Sequence, residues 1–280
     1  MLNINKILLP VDFPNPSLRV VHQAAILARH FHSEIVMLHV VTAVGHTAGM
    51  PADGREPAGW DMLAEITNSI GPELDDLTVK RVLVKGGAAR AILQTAQDEK
   101  ADLIMMPSHG HAFSQFLLGS VTAKVLHGTE CPVWTDAHVE ESPMQGFAVR
   151  NVLCAVDFTT YNHKAVSWAV QMAAEFGARL TLAHVTPGVE LWGPGGSYVN
   201  QELKEALVGN ASQHIAEFQK DIGITADVFI GSGDVPKVLS QAAKQTKADL
   251  LVTGCRPYGG HLRTHGYAII CAVPIPVLSV

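Results

Sequence analysis

The feature that most constrains this chain is that it repeats itself. "ILLPVDFP" begins at Ile7 and "VLCAVDFT" begins at Val152, which sets Asp12 on Asp157 at an offset of 145. The same offset sets His39-Val40 on His184-Val185. "KADLIMM" at Lys100 answers "KADLLVT" at Lys247, and "CPVWT" at Cys131 answers "IPVLS" at Ile275. Four matches in one order, at nearly constant offsets, predict two copies of one domain of roughly 140 residues. The expected division is a first domain over 1–138, a polar connection over 139–149 containing Pro143 and Gly146, and a second domain over 150–280.

Within each copy, short apolar runs alternate with stretches of helical periodicity. Strands are expected at 7–11, 35–41, 82–84, 103–106 and 132–135, and again at 152–156, 180–185, 228–230, 250–253 and 277–280. Helices are expected at 88–99 and 120–127, with a long one over 198–221 in the second copy. Continuous apolar strands between helices call for a parallel sheet buried on both faces, and right-handed crossovers make it doubly wound. The predicted fold class is therefore α/β, with two tandem doubly wound, Rossmann-like parallel sheets of five strands. Ligands of such sheets sit beyond the carboxyl ends of the strands, where strand order reverses. The loops after the first and fourth strands are the places to search.

Bulk properties narrow the partners. The net charge is −6, and neither half is basic: ten Lys/Arg meet fifteen Asp/Glu in 1–140, and ten meet eleven in 141–280. A nucleic-acid partner is not expected. The first apolar run is too short to span a bilayer, and no membrane association is expected. The four cysteines, Cys131, Cys154, Cys255 and Cys271, form no CxxC pair, which fits reduced thiols and a cytoplasmic location.

Asp12 ends the first strand. A carboxylate there can accept hydrogen bonds from ribose hydroxyls or help hold a metal on phosphates; a loop-capping carboxylate is the alternative. After the fourth strand come Gly110 and then Gly119-Ser120 at a helix start. Glycine lets backbone amides approach an anion, and a helix N-terminus adds partial positive charge. Ser120 and Thr122 bring hydroxyl donors, although a Gly-Ser helix start with Ser as its cap reads equally well. It is not a Walker loop, since no Gly-Lys-Ser/Thr stands at that spacing.

"PVD" after the first strand, "LHVV" in the second and "ADLIMMPSHGHAFSQFLLGSVTAKVLHGTECPVW" resemble the universal stress protein family, and the doubled layout resembles its tandem members. The resemblance implies the adenine-nucleotide alpha hydrolase-like fold and, for some members, ATP held by a Gly-x2-Gly-x9-Gly-Ser/Thr loop. By that resemblance Pro10, Val11, Asp12 and Val40 are the adenine and ribose contacts. Gly110, Gly119, Ser120, Val121 and Thr122 are the phosphate end, with Met106, Ser108 and His111 in the same set. The implied ligand is an adenine nucleotide, ATP with or without magnesium, and at most slow ATP hydrolysis. The implied partners are an unspecified protein and pairing of the last strands into an intrachain pseudo-dimer, with a homodimer as the other arrangement.

This sequence departs from the family pattern in both copies. Pro107 replaces the first glycine and has no N–H to donate. Eight residues, not nine, separate Gly110 from Gly119. In the second copy Gly254 fits the first glycine, but Pro257 takes the second and Arg263-Thr264 replaces Gly-Ser. The second copy is therefore expected to bind nucleotide poorly, and a nucleotide-free interaction protein is the competing reading. Fourteen histidines raise a metal-dependent hydrolase as a third. The candidates are the His261/His265 pair with Cys255 six residues earlier, the His109/His111 pair and the His30/His32 pair; spacing supports two ligands at best, so zinc is not expected. "GSGD" at Gly231 suggests a dinucleotide fingerprint, but Pro236 stands where its last glycine belongs, and a turn after the third strand is expected there.

Overall fold

A computed structural model describes residues 2–12, 17–41, 68, 70–71, 73–108, 118–136, 147–157, 162–188, 190–193, 196–199, 201–254 and 266–280. The chain divides into two compact units, one of residues 3–136 and 141–147, the other of residues 1–2, 137–140 and 148–280.

In the first unit β1 (Lys6–Val11) leads to α1 (Leu18–Phe31), β2 (Glu34–Val41) and β3 (Val79–Lys85). Then follow α2 (Ala88–Asp98), β4 (Leu103–Met106), α3 (Ser120–Gly128) and β5 (Val133–Thr135). Every described strand pair of this sheet is parallel, in the order β5-β4-β1-β2-β3. The apolar runs set this order. Ile7, Leu8, Ile35, Val36, Met37, Leu38 and Ile104 have no exposed surface, so β1, β2 and β4 are covered on both faces. α1 supplies part of the cover through Val20, Val21, Ala24, Ala25, Leu27 and Ala28, a helical stripe of buried residues. β3 is longer than the expected 82–84 because Lys80 and Arg81 interrupt its apolar pattern. It is the outer strand, where charged side chains reach water and protect an open edge.

The second unit repeats the plan. β6 (Asn151–Val156), α4 (Asn162–Phe176) and β7 (Arg179–Thr186) come first. After a short hairpin, β8 (Glu190–Gly193) with β9 (Gly196–Val199), come α5 (Gln201–Ile222), β10 (Asp227–Ser232) and α6 (Val235–Gln245). β11 (Leu250–Thr253), α7 (Gly266–Ala272) and β12 (Val277–Ser279) complete it. The sheet order is β12-β11-β6-β7-β10, again parallel throughout its described pairs.

The hairpin corrects the expected start of the long helix. Tyr198 lies in β9, paired with Leu191, and the helix begins at Gln201. Tyr198 and Val199 favour strand, and the Gly-Pro-Gly-Gly stretch from Gly193 is a turn signal. The "GSGD" reading also shifts. Gly231 and Ser232 belong to β10, and the turn falls at Gly233, whose φ of +120° suits glycine. A Cβ on Gly231 would lie 2.3 Å from Val238 Cγ1, so this glycine lets α6 press onto the strand. Asp234 caps that helix by accepting the Lys237 N–H at 3.2 Å, and Pro236 fills a first-turn position that needs no donor.

The duplication extends to individual hydrogen bonds. Asp102 Oδ2 accepts the N–H groups of Asn5 and Lys6 at 2.8 and 3.0 Å, and Asp249 Oδ2 accepts those of Arg150 and Asn151 at 2.8 and 2.9 Å. The Lys-Ala-Asp motifs share a left-handed lysine, with φ of 53° at Lys100 and 51° at Lys247. Among the described residues no helix is long and apolar enough to cross a membrane.

Candidate functional site

In the first unit the chain runs from β1 outward to β2 and β3, then returns to the other side of β1 with β4 and β5. Strand order thus reverses between β1 and β4, the position at which doubly wound sheets open a crevice. The register fixes what lies at its rim. Val11 stands opposite His39, so one step on brings Asp12 level with Val40; Ile7 stands opposite Leu103, and the same register carried to the strand ends brings Asp12 level with Ser108. Pro107 is likewise level with Asp136, one step beyond the pairing of Met106 with Thr135. Residues far apart in sequence therefore reach one edge because four parallel strands end there together.

Their exposures differ in a useful way. Asp12 is exposed, Pro10 and Val40 are half-buried, and Val11 and Met106 belong to the core. A solvent-facing carboxylate is thus flanked by apolar surface, which suits a polar group attached to a flat apolar one. Behind this rim, the His39 Nδ1 lies 3.1 Å from the Val11 carbonyl oxygen and ties β2 to the end of β1.

The loop after β4 is closed at its base. The Gly119 N–H donates to the Ser108 carbonyl at 2.8 Å, and the Thr122 hydroxyl donates to the Pro107 carbonyl at 2.9 Å. Ser108, with no exposed surface, donates its own N–H to Asp136 Oδ1 at 3.1 Å. These bonds hold the N-terminus of α3 at the crevice. Gly119 is its N-cap, in extended conformation (φ −59°, ψ 139°), and no side chain caps the helix. The alternative reading of Ser120 as the cap is therefore not realised: Ser120 is the first helical residue and is exposed.

The first turn of a helix leaves amides without intrahelical acceptors, here those of Ser120, Val121 and Thr122. No acidic residue stands in that turn, so nothing there neutralises the positive end of the helix dipole. The donor set fits an anion, but it is smaller than the sequence suggested. Gly119 N–H and the Thr122 hydroxyl both point back into the protein, which leaves three amides and the Ser120 hydroxyl. Gly110 and His111 lie outside the described residues.

Asp136, Ser17 and His39 belong to this constellation and were not among the expected site residues. Asp136 carried a signal: like Asp12, it is a carboxylate directly after an apolar strand.

At the corresponding rim of the second unit, Asp157 is level with Val185, and His184 Nδ1 lies 2.8 Å from the Val156 carbonyl oxygen. Burial pushes the His184 imidazole below its ordinary value, and His214 adds to the lowering against the opposing Val156 carbonyl. Residues 255–265, with Pro257 and Arg263, lie outside the described residues. So do Cys255, His261, His265, His109 and His111. Among the described residues no group of three or more His, Cys, Asp or Glu could hold a metal ion. His32 terminates α1 in left-handed conformation.

Comparison with known proteins follows the duplication. The family model described as "Universal stress protein family" matches twice, over residues 3–135 and 148–280. A universal stress protein of Methanocaldococcus jannaschii is 30% identical over 139 residues, spanning 46% of this chain and 79% of its own length. Universal stress protein A homolog 2 of Coxiella burnetii is 33% identical over 141 residues, spanning 48% of this chain and 94% of its own. A universal stress protein structure from Archaeoglobus fulgidus matches 99% of this chain and 96% of its own at 21% identity, with a TM-score of 0.68, a likeness of fold. With both halves matched and the expected Rossmann-like architecture in each, the chain belongs to the universal stress protein family, as a tandem member.

Proposed function

We propose that the first unit binds an adenine nucleotide, ATP in the first instance, and that the protein serves as a nucleotide-responsive stress protein in the cytoplasm. The observation that carries this reading is the convergence at one crevice of two complementary halves. One is the exposed Asp12 carboxylate between Val11 and Val40; the other is the uncapped N-terminus of α3. Asp12 accepts from ribose hydroxyls, and Val11 and Val40 offer apolar contact to adenine. The Ser120–Thr122 amides and the Ser120 hydroxyl face the phosphates. Magnesium bound with ATP would lower the phosphates' negative charge; no residue is assigned to it.

Isothermal titration of wild type and Gly119→Trp with ATP tests this. The Gly119 backbone angles are open to any residue, so the bulky side chain obstructs the anion end without straining the helix start. Binding lost in a variant that melts as wild type does supports the site. Equal affinity in both removes it. Native mass spectrometry of freshly purified protein, looking for retained nucleotide, provides the independent check.

One observation favours the second reading, a nucleotide-free interaction protein of the same fold. Pro107 offers no N–H, while Gly119 N–H and Thr122 hydroxyl are already bonded within the protein. Protein that retains no nucleotide and shows no thermal shift with ATP and magnesium would establish this reading in place of the first.

A further inference from the structure

Asp136 follows β5 and is buried, with 7% of its surface exposed. Its Oδ1 accepts the Ser108 N–H at 3.1 Å and lies 3.4 Å from Ser108 Oγ, and its Oδ2 lies 3.4 Å from Ser17 Oγ. Ser17 is the N-cap residue of α1, yet its side chain makes no capping bond to that helix. A carboxylate is costly to remove from water, and one placed near an anion site also repels the ligand. The hydrogen bond from the buried Ser108 amide offsets the first cost. It also gives the residue a task, because Ser108 is the base of the loop: its carbonyl receives the Gly119 N–H at 2.8 Å. A chain of two hydrogen bonds thus runs from the end of β5, through Ser108, to the N-cap of α3.

We propose that Asp136 is a positioning residue for the phosphate end of the site. It holds Ser108, and through it Gly119, so that the Ser120–Thr122 amides stand in place before any ligand arrives. Asp136 touches no part of the nucleotide. This rests on the nucleotide reading above and adds to it a prediction about phosphates alone. Preorganised donors bind tightly because little ordering remains to be done on association. Loss of Asp136 therefore weakens ligands that reach α3 and spares those that do not.

Titration of wild type, Asp136→Ala and Asp136→Asn with adenosine and ADP tests the proposal. Asp136→Ala weakens ADP about tenfold, the scale of one hydrogen bond, with adenosine changed less than about twofold. Asp136→Asn keeps ADP affinity within about twofold, because its carbonyl still accepts the Ser108 N–H. If Asp136→Ala weakens both ligands equally or neither, the positioning role is overturned. It is also overturned if Asp136→Asn loses ADP as Asp136→Ala does, since the charge and not the acceptor would then matter. Hydrogen exchange on ligand-free wild type keeps the test open should the alanine variant not fold: slow Ser108 and Gly119 amides are expected, and fast ones refute a preformed stem. Wild type that binds neither adenosine nor ADP removes the nucleotide reading itself, an outcome distinct from an unchanged ratio between the two.

Discussion

His39 Nδ1 stands 3.1 Å from the carbonyl oxygen of Val11, and a carbonyl can only accept, so that ring nitrogen carries the proton. The side chain thereby fastens β2 to the last residue of β1, one step before Asp12. His184 does the same for Val156 at 2.8 Å in the second unit. The two bonds mark the strand end at the crevice in both copies.

Replacing His39 by Ala leaves the Val11 carbonyl without this donor in a buried setting. A loss of about 1–3 kcal/mol is expected from urea unfolding, with Gln, which can still donate, losing less.

His184 gives the protein a pH dependence with a definite sign. Burial, reinforced by His214, holds the folded-state imidazole below its ordinary 6.5. The folded protein binds this proton less readily than the unfolded chain does. The stability at stake is therefore complete above the unfolded value and is lost as pH falls through the lowered folded one. Urea midpoints at about pH 7.5 and about pH 5 should fall further for wild type than for His184→Gln, whose amide does not titrate.

Trp134 is fully buried; its Nε1–H donates to Gln23 Oε1 at 2.8 Å, and its ring meets Phe147 edge-on at 6.0 Å. Trp134→Ala should cost about 3–5 kcal/mol. Gln23→Leu should cost about 1–3 kcal/mol, because it strands the indole N–H. A double-mutant cycle read by chemical denaturation reports the coupling.

Cys154 lies fully buried in β6, and desolvation pushes its thiol up to about 12. Thiolate is the reactive form, so peptide mapping after iodoacetamide treatment of native protein should find Cys154 unmodified. Prior unfolding should expose it.

The sequence made the repeat and the central strands legible because both-face burial writes itself as uninterrupted apolar runs such as Leu103–Met106. Strands whose faces differ were harder. β3 looks short where Lys80 and Arg81 meet solvent, and the β8–β9 hairpin is too brief to show a period. Asp12 was readable as a carboxylate at a strand end. The fates of the Gly119 N–H and the Pro107 carbonyl were not, since backbone donors and acceptors have no letter of their own. Asp136 illustrates the limit: its position was visible, but its partner, an amide 28 residues away, is chosen only by the parallel register of β4 and β5.

The bond between Ser108 and Gly119 brings the two ends of the intervening segment to one fixed doorway. The span from 109 to 117 can then change length or composition without asking the sheet to adjust, since closing a loop twice as long costs only about 0.6 kcal/mol more.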